Sequence, residues 1–324
     1  MEGRYEDTMK FVIGIDLGGT YIKGGLVDHS GKILYFNQVP TESAMGFKKV
    51  MDNMLKISLD ILDRHPSHEI IGVGIGIPGW VKQELGLVMW APNLKWFAQP
   101  FTRIYQEKIS LPVFLENDAN AAALGEYWLG RGSGSKIMLM ITLGTGVGSG
   151  LIIDGRIFRG SSGMGVELGH MTLNPDGPLC GCGGKGCLES YASAGGMLRI
   201  AHKYLQEQPE TEISSKDLDM ENLLLSMENK RSFAFKTLEE VSGYLSTALV
   251  NTILAYDPDR IVLGGGIAEG GEYLIETVKE KIHLSLRRFP DREIVIDRAI
   301  LGNKAGILGA AYQVWRGGVY HDVE

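Results

Sequence analysis

His170, Cys180, Cys182 and Cys187 form the pattern H-x9-C-x-C-x4-C inside the segment CGCGGKGC. Cys180, Cys182 and Cys187 are all three cysteines of the chain, and a disulfide framework would use an even number spread along the sequence. Thiolates with an imidazole suit tetrahedral Zn²⁺, and the intervening glycines let a short loop fold around an ion. No fifth candidate with an open position is evident, so the pattern reads as a structural metal site. Three unrelated buried thiols are the bland alternative.

A second group of residues is suited to phosphate. Asp16-Leu17-Gly18-Gly19-Thr20 and Leu143-Gly144-Thr145-Gly146-Val147-Gly148 are glycine-rich turns between apolar segments, and Leu263-Gly264-Gly265-Gly266-Ile267 follows a third. Such turns direct backbone N–H groups at an anion, and each taken singly is equally a tight turn. There is no GxxxxGK[ST] sequence, and Gly264–Gly266 does not fit a dinucleotide fingerprint, which weakens P-loop and dehydrogenase readings. Asp118 stands just after the apolar PVFLEN and just before a helical segment. A carboxylate there can accept a proton from a hydroxyl nucleophile, or it can cap the helix.

These residues need a scaffold of alternating strands and helices. FVIGID (11–16), IKGGLV (22–27) and KILYFNQ (32–38) read as a three-stranded antiparallel meander, followed by a helix over 45–64. IIGVGIGIP (70–78) and PVFLEN (112–117) read as buried parallel strands, with a helix from about Asn120. The order then begins again. KIMLMITL (136–143), SGLIID (149–154) and a strand after GRIFRG precede helices near 189–207 and 237–256. RIVLGGG (260–266), a helix over 273–286, EIVID (293–297) and a last helix over 304–315 complete the second round. Two copies of one α/β layout imply two similar domains facing a cleft. The insert at 209–236 is polar, with a helical piece over 221–227, and carries no visible chemistry.

Composition narrows the partners. The net charge is −7 over 324 residues, which argues against a nucleic-acid footprint. No apolar run approaches the roughly 20 residues of a membrane span, and the first residues lack a signal-peptide pattern. A cytoplasmic protein is expected.

The sequence resembles the ROK family of bacterial sugar kinases and sugar-responsive repressors over essentially its whole length, and is most similar to the family's glucokinases. The resemblance rests on DLGGT (16–20), APNL (91–94), LENDANAAALGE (115–126), LGTGVGSG (143–150), ELGH (167–170), CGCGGKGCLES (180–190) and VLGGGI (262–267), in the family's order. It implies a two-domain, actin-like and hexokinase-like (ribonuclease H-like) α/β fold with mixed sheets and an interdomain cleft where sugar and MgATP meet. The expected division is a small domain over 1–118, rejoined by the C-terminal helix at about 304–324, and a larger, zinc-bearing domain over 119–303. The implied activity is ATP-dependent phosphorylation of glucose at its 6-hydroxyl. The nearest alternatives are kinases of fructose, N-acetylglucosamine or N-acetylmannosamine. A sugar-sensing regulator is less expected, because only about ten residues precede FVIGID, too few for a helix-turn-helix.

The same resemblance assigns roles. Asp118 is the implied base. Asn117, Glu167, His170 and Glu189 match positions that bind sugar hydroxyls, with Gly79 and Asn93 in segments lining the same pocket. His170 would ligate zinc through one ring nitrogen and offer the other N–H to the sugar; Glu167 and Glu189 are otherwise plain surface acids. Asp16 would hold Mg²⁺ through water, while Gly18, Gly19, Thr20 and Lys23 approach the β and γ phosphates. Thr145 and Gly146 would close from the second domain, and Gly265 and Gly266 would pass beneath adenosine. A homodimer or higher homo-oligomer is implied as well. Two positions depart from the pattern. Val166 precedes Glu167 where similar proteins usually carry Gly, so a different local backbone is expected, and Lys82 follows PGWV where a small acidic or polar residue is more usual.

Overall fold

The computed structural model describes residues 9–207, 215–228, 232–289, 292 and 294–317. Two compact units divide the chain: Met1–Leu129, Gly160–Met164 and Asn303–Glu324 form the first, and Gly130–Arg159 with Gly165–Gly302 the second.

In the first unit, β1 (Lys10–Leu17), β2 (Tyr21–Asp28) and β3 (Ile33–Pro40) form the expected meander. Helix α1 (Phe47–Arg64) follows, burying Val50, Met54, Ile57 and Ile61 at helical spacing. β4 (Glu69–Ile77) then pairs parallel with β1, and β8 (Val113–Asn117) parallel with β4. The sheet order is therefore β3-β2-β1-β4-β8. β1 and β4 are near-continuous apolar runs because they lie mid-sheet and are covered, whereas β3 alternates as an edge strand does. Between β4 and β8 stand three short strands, β5 (Trp80–Lys82), β6 (Leu87–Ala91) and β7 (Trp96–Gln99), in an antiparallel sheet of their own, and helix α2 (Phe101–Ile109).

Helix α3 (Asp118–Leu129) completes the unit with the C-terminal helix, Ala305–Trp315. Both helices are rich in small residues, and a Cβ on Gly309 would collide with the Ala121 carbonyl, so the crossing requires glycine. Trp128 and Tyr312 stack at 5.1 Å at its far end. Through this packing the first unit runs on to Leu129, beyond the boundary expected after Asp118.

In the second unit, β9 (Ile137–Leu143), β10 (Val147–Ile153), β11 (Arg156–Ile157), β12 (Arg260–Gly264) and β13 (Val295–Arg298) repeat the layout in the order β11-β10-β9-β12-β13. β11 lies within GRIFRG, not after it. Its helices are α4 (Glu189–Ala192), α5 (Ala194–Gln206), α6 (Met220–Glu228), α7 (Ser232–Tyr256), α8 (Gly266–Gly270) and α9 (Glu272–Leu286). The helix expected over 189–207 breaks at Ser193, whose hydroxyl accepts the Gly196 N–H at 3.2 Å and caps α5. Leu238, Val241, Leu245, Leu249 and Ile253 carry the buried face of α7 into this unit's core. Parts of the 209–236 insert and residue 293 lie outside the described residues. Among the described residues no helix is long and apolar enough to cross a membrane.

Candidate active site and metal cluster

The corner between β8 and α3 is fixed by Asn117. Its Oδ1 accepts the Asn120 N–H at 3.0 Å, the bond an N-cap makes to the third helical residue, and its Nδ2 donates to the Gly79 carbonyl at 3.1 Å. The capping alternative for Asp118 is thereby corrected: Asn117 caps α3. Asp118 Oδ1 accepts the neighbouring Ala119 N–H at 2.9 Å. The protein packed around Asp118 raises its carboxyl above the usual range, since burial disfavours the charged form.

The β1–β2 turn supplies a second group. Asp16 faces Lys23 across the antiparallel ladder. Burial, and next the charge of Asp118, push Asp16 up to about 6, while Lys23 pulls the other way. The C-terminal helix leaves room for this carboxylate at Gly306, where a Cβ would come within 2.6 Å of Asp16 Cγ. Lys23 Nζ donates to Asn303 Oδ1 at 2.7 Å, an anchor that the sequence did not reveal. Gly18 N–H is taken by the Tyr21 carbonyl at 3.1 Å, and Thr41 Oγ1 donates to the Gly18 carbonyl at 2.7 Å. The amides of Gly19 and Thr20 have no partner among the described residues, as an anion-binding turn requires.

The β9–β10 turn of the second unit is built alike. Gly144 N–H donates to the Gly146 carbonyl at 3.0 Å, and Ala194 N–H to the Gly144 carbonyl at 2.8 Å. The amides of Thr145 and Gly146 have no partner among the described residues, and Thr145 is exposed. Val147 N–H is held by Glu189 Oε2 at 3.0 Å. Gly265 and Gly266 leave the end of β12, the parallel neighbour of β9.

The other oxygen of Glu189 lies 3.6 Å from Cys180 Sγ. There the four sequence candidates converge: the donor atoms of His170, Cys180, Cys182 and Cys187 all lie within 4.8 Å of one another. Cys182 and Cys187 sulfurs are 3.7 Å apart, and Cys180 Sγ is 3.8 Å from His170 Nδ1. A tetrahedral ion with Zn–S bonds of about 2.3 Å sets its ligands about 3.8 Å apart, so the donor set and its edges fit zinc. The loop closes through Cys180 N–H to the Gly184 carbonyl at 2.8 Å and Leu188 N–H to the Met171 carbonyl at 3.0 Å.

Residues 12–316 match the ROK family. The chain belongs to the ROK family. It is 36% identical to a glucokinase of Halalkalibacterium halodurans, covering 94% of this chain and 95% of that one. Among solved structures, a ROK glucokinase from Streptomyces griseus, determined with glucose and AMPPNP, is 34% identical with a TM-score of 0.77, covering 93% of this chain and 98% of that one. A ROK hexokinase from Thermus thermophilus is 34% identical with a TM-score of 0.81, covering 95% and 100%. The fold is the actin-like, hexokinase-like one of these ROK kinases.

The departures from the ROK pattern are visible too. Val166 takes φ 65°, a left-handed backbone that suits glycine and strains a β-branched residue. The Ser149 hydroxyl holds the Val166 carbonyl and accepts the Leu168 N–H at 3.0 Å. Lys82 places its Nζ 5.5 Å from the Trp80 ring centroid. Glu167, Asn93 and His170 are exposed.

Proposed function

We propose that this ROK protein is an ATP-dependent glucokinase that moves the γ-phosphoryl group of ATP to the 6-hydroxyl of glucose. Its likeness to glucokinases over nearly the whole chain supports the reaction class. The observation that carries the chemistry is Asp118, a carboxyl at the start of α3 that burial raises in pKa although it accepts the Ala119 N–H, while Asn117 makes the cap to the third helical residue. A hydroxyl is a poor nucleophile, and a base of raised pKa takes its proton effectively. As the 6-oxygen bonds to the γ-phosphorus, its proton passes to Asp118, and the bond from phosphorus to the β–γ bridging oxygen breaks to release ADP.

Recognition of the other sugar hydroxyls belongs in this reading to Asn117, Glu167, His170 and Glu189, with Gly79 and Asn93 beside them. Asn117 spends its oxygen and one amide hydrogen within the protein and keeps one N–H for the sugar. His170 turns Nδ1 toward the cysteines, which leaves Nε2 as the donor to a hydroxyl. The amides of Gly19, Thr20, Thr145 and Gly146 would take phosphate oxygens, with Gly18 in the same turn; Lys23 adds a charge steadied by Asn303. Gly265 and Gly266 would lie beneath adenosine.

Asp16 would hold Mg²⁺, which neutralises charge on the phosphates when bound. His170, Cys180, Cys182 and Cys187 would hold a structural zinc, which stiffens the loop carrying His170 and Glu189. A reaction fed by ATP belongs in the cytoplasm. Assembly as a homo-oligomer rests on family resemblance, and the mass of the purified protein in solution tests it.

The decisive experiment is a coupled assay of hexoses and amino sugars with MgATP, ranked by kcat/KM, with the product position assigned by phosphorus NMR. Glucose should rank first and yield the 6-phosphate. A higher rank for fructose, N-acetylglucosamine or N-acetylmannosamine would transfer the assignment to that sugar.

A further inference from the structure

Glu116 is 2% exposed, directly before the two residues assigned to sugar and proton. Its Oε1 accepts the Asn117 N–H at 3.0 Å and the Asn120 Nδ2–H at 3.0 Å. Its Oε2 accepts a hydrogen bond from Gln83 Nε2 at 2.6 Å. These three partners are donors, as an acceptor-only carboxylate needs. Gln83 opens the short 3₁₀ turn Gln83–Leu85 between β5 and β6. The same hairpin is tied a second time, through the Gly79 carbonyl and Asn117 Nδ2 at 3.1 Å. The small sheet that offers Gly79 and Asn93 thus meets the end of β8 at two adjacent residues. Both residues also reach Asn120 on α3, through its Nδ2 at 3.0 Å and its N–H at 3.0 Å, so hairpin, strand and helix share one hydrogen-bond network.

We propose that Glu116 and Gln83 form a buried positioning brace. It sets the hairpin of β5 and β6 against Asn117 and so fixes the geometry of sugar recognition, without touching the reacting atoms. The inference rests on the assignment of Gly79, Asn93 and Asn117 to the sugar. Hydrogen bonds to a buried carboxylate are strong and directional, and two acceptors left facing each other cost the desolvation of both. The brace should therefore act mainly on sugar affinity, since MgATP is assigned to other turns.

A swap of the two groups tests this directly. Gln83→Glu opposes two carboxylates and should raise the glucose KM by roughly 10-fold or more while the MgATP KM stays within about 2-fold. Glu116→Gln is milder on KM, because the Gln83 amide can turn its oxygen to accept the new N–H. Glu116→Gln should also lower kcat, because Asn117 and Asp118 follow it in the chain. In the double variant, Glu116→Gln with Gln83→Glu, the amide oxygen now at position 116 can still accept from Asn117 and Asn120, while the amide nitrogen donates to the carboxylate now at position 83. That variant should recover a glucose KM within about 3-fold of the parent, a strong non-additivity. A double variant as impaired as the worse single one, or one that does not fold, overturns the brace. Gln83→Met is a milder control that removes one bond, and an unchanged glucose KM there overturns it as well. Should the parent phosphorylate no hexose, the functional assignment fails by itself, and recovery of the lost melting temperature in the double variant still reads the pair.

Discussion

Glu189 accepts the backbone N–H of Val147 at 3.0 Å while its other oxygen stands 3.6 Å from Cys180 Sγ. One side chain thus joins the turn proposed for phosphate to the cluster proposed for zinc. Cys182→Ser should lose bound zinc, and the loosened loop would release His170 and Glu189 together. Glucose affinity should fall by roughly 10-fold or more, as for a lost supporting ligand, and AMPPNP affinity by a smaller factor of about 2 to 5. Calorimetric titration of both ligands, with metal content measured alongside, checks this. Sugar affinity unchanged in a zinc-free variant would separate the cluster from the site.

Asp118→Asn should retain the fold, because the cap on α3 is Asn117. Removing a general base costs about 10²- to 10⁴-fold in kcat, and AMPPNP binding should stay near the parent value. Burial raises the Asp118 carboxyl, so the acid limb of kcat/KM should lie above the range of an ordinary carboxylate. That limb should vanish from the residual activity of the variant, and unchanged turnover would remove Asp118 from the mechanism.

The duplicated layout was legible because β1, β4, β9 and β12 are apolar runs followed directly by glycine-containing turns, a pattern that local sequence carries. The metal cluster was legible because its ligands crowd into one short glycine-rich loop plus His170. What escaped depends on partners distant in sequence. β5 to β7 have three to five residues each and too little alternation to stand out. The membership of α3 is decided by Gly309 and Ala305, far along the chain. Lys23 meeting Asn303, and Gln83 meeting Glu116, are side-chain pairings that no spacing rule reveals.

Asp16→Asn should change the pH dependence of stability. Asp16 rises from 3.8 to about 6 on folding, so the folded chain binds this proton more tightly than the unfolded one. Stability therefore falls as pH rises through that window, and the deficit persists above it. Without MgATP the variant should melt above the parent at pH 8, with the difference closing toward pH 4. The same variant should lose most of its Mg²⁺-dependent turnover. A melting difference that grows on acidification would reverse the assigned sign.

Val166→Gly tests the strain beside Glu167. A left-handed conformation costs an L-residue roughly 1–2 kcal/mol, and more for a β-branched side chain, whereas glycine adopts it freely. Two losses oppose this gain: the half-buried valine gives up its packing on the second unit's core, and glycine adds entropy to the unfolded chain. Because the side chain is only partly buried, relief should prevail, and urea unfolding should show a gain of about 1 kcal/mol. The Val166 carbonyl keeps its bond from Ser149, so the path of the chain into Glu167 should hold and the glucose KM should shift little. A net loss of stability would mean that the valine's contacts outweigh its backbone strain.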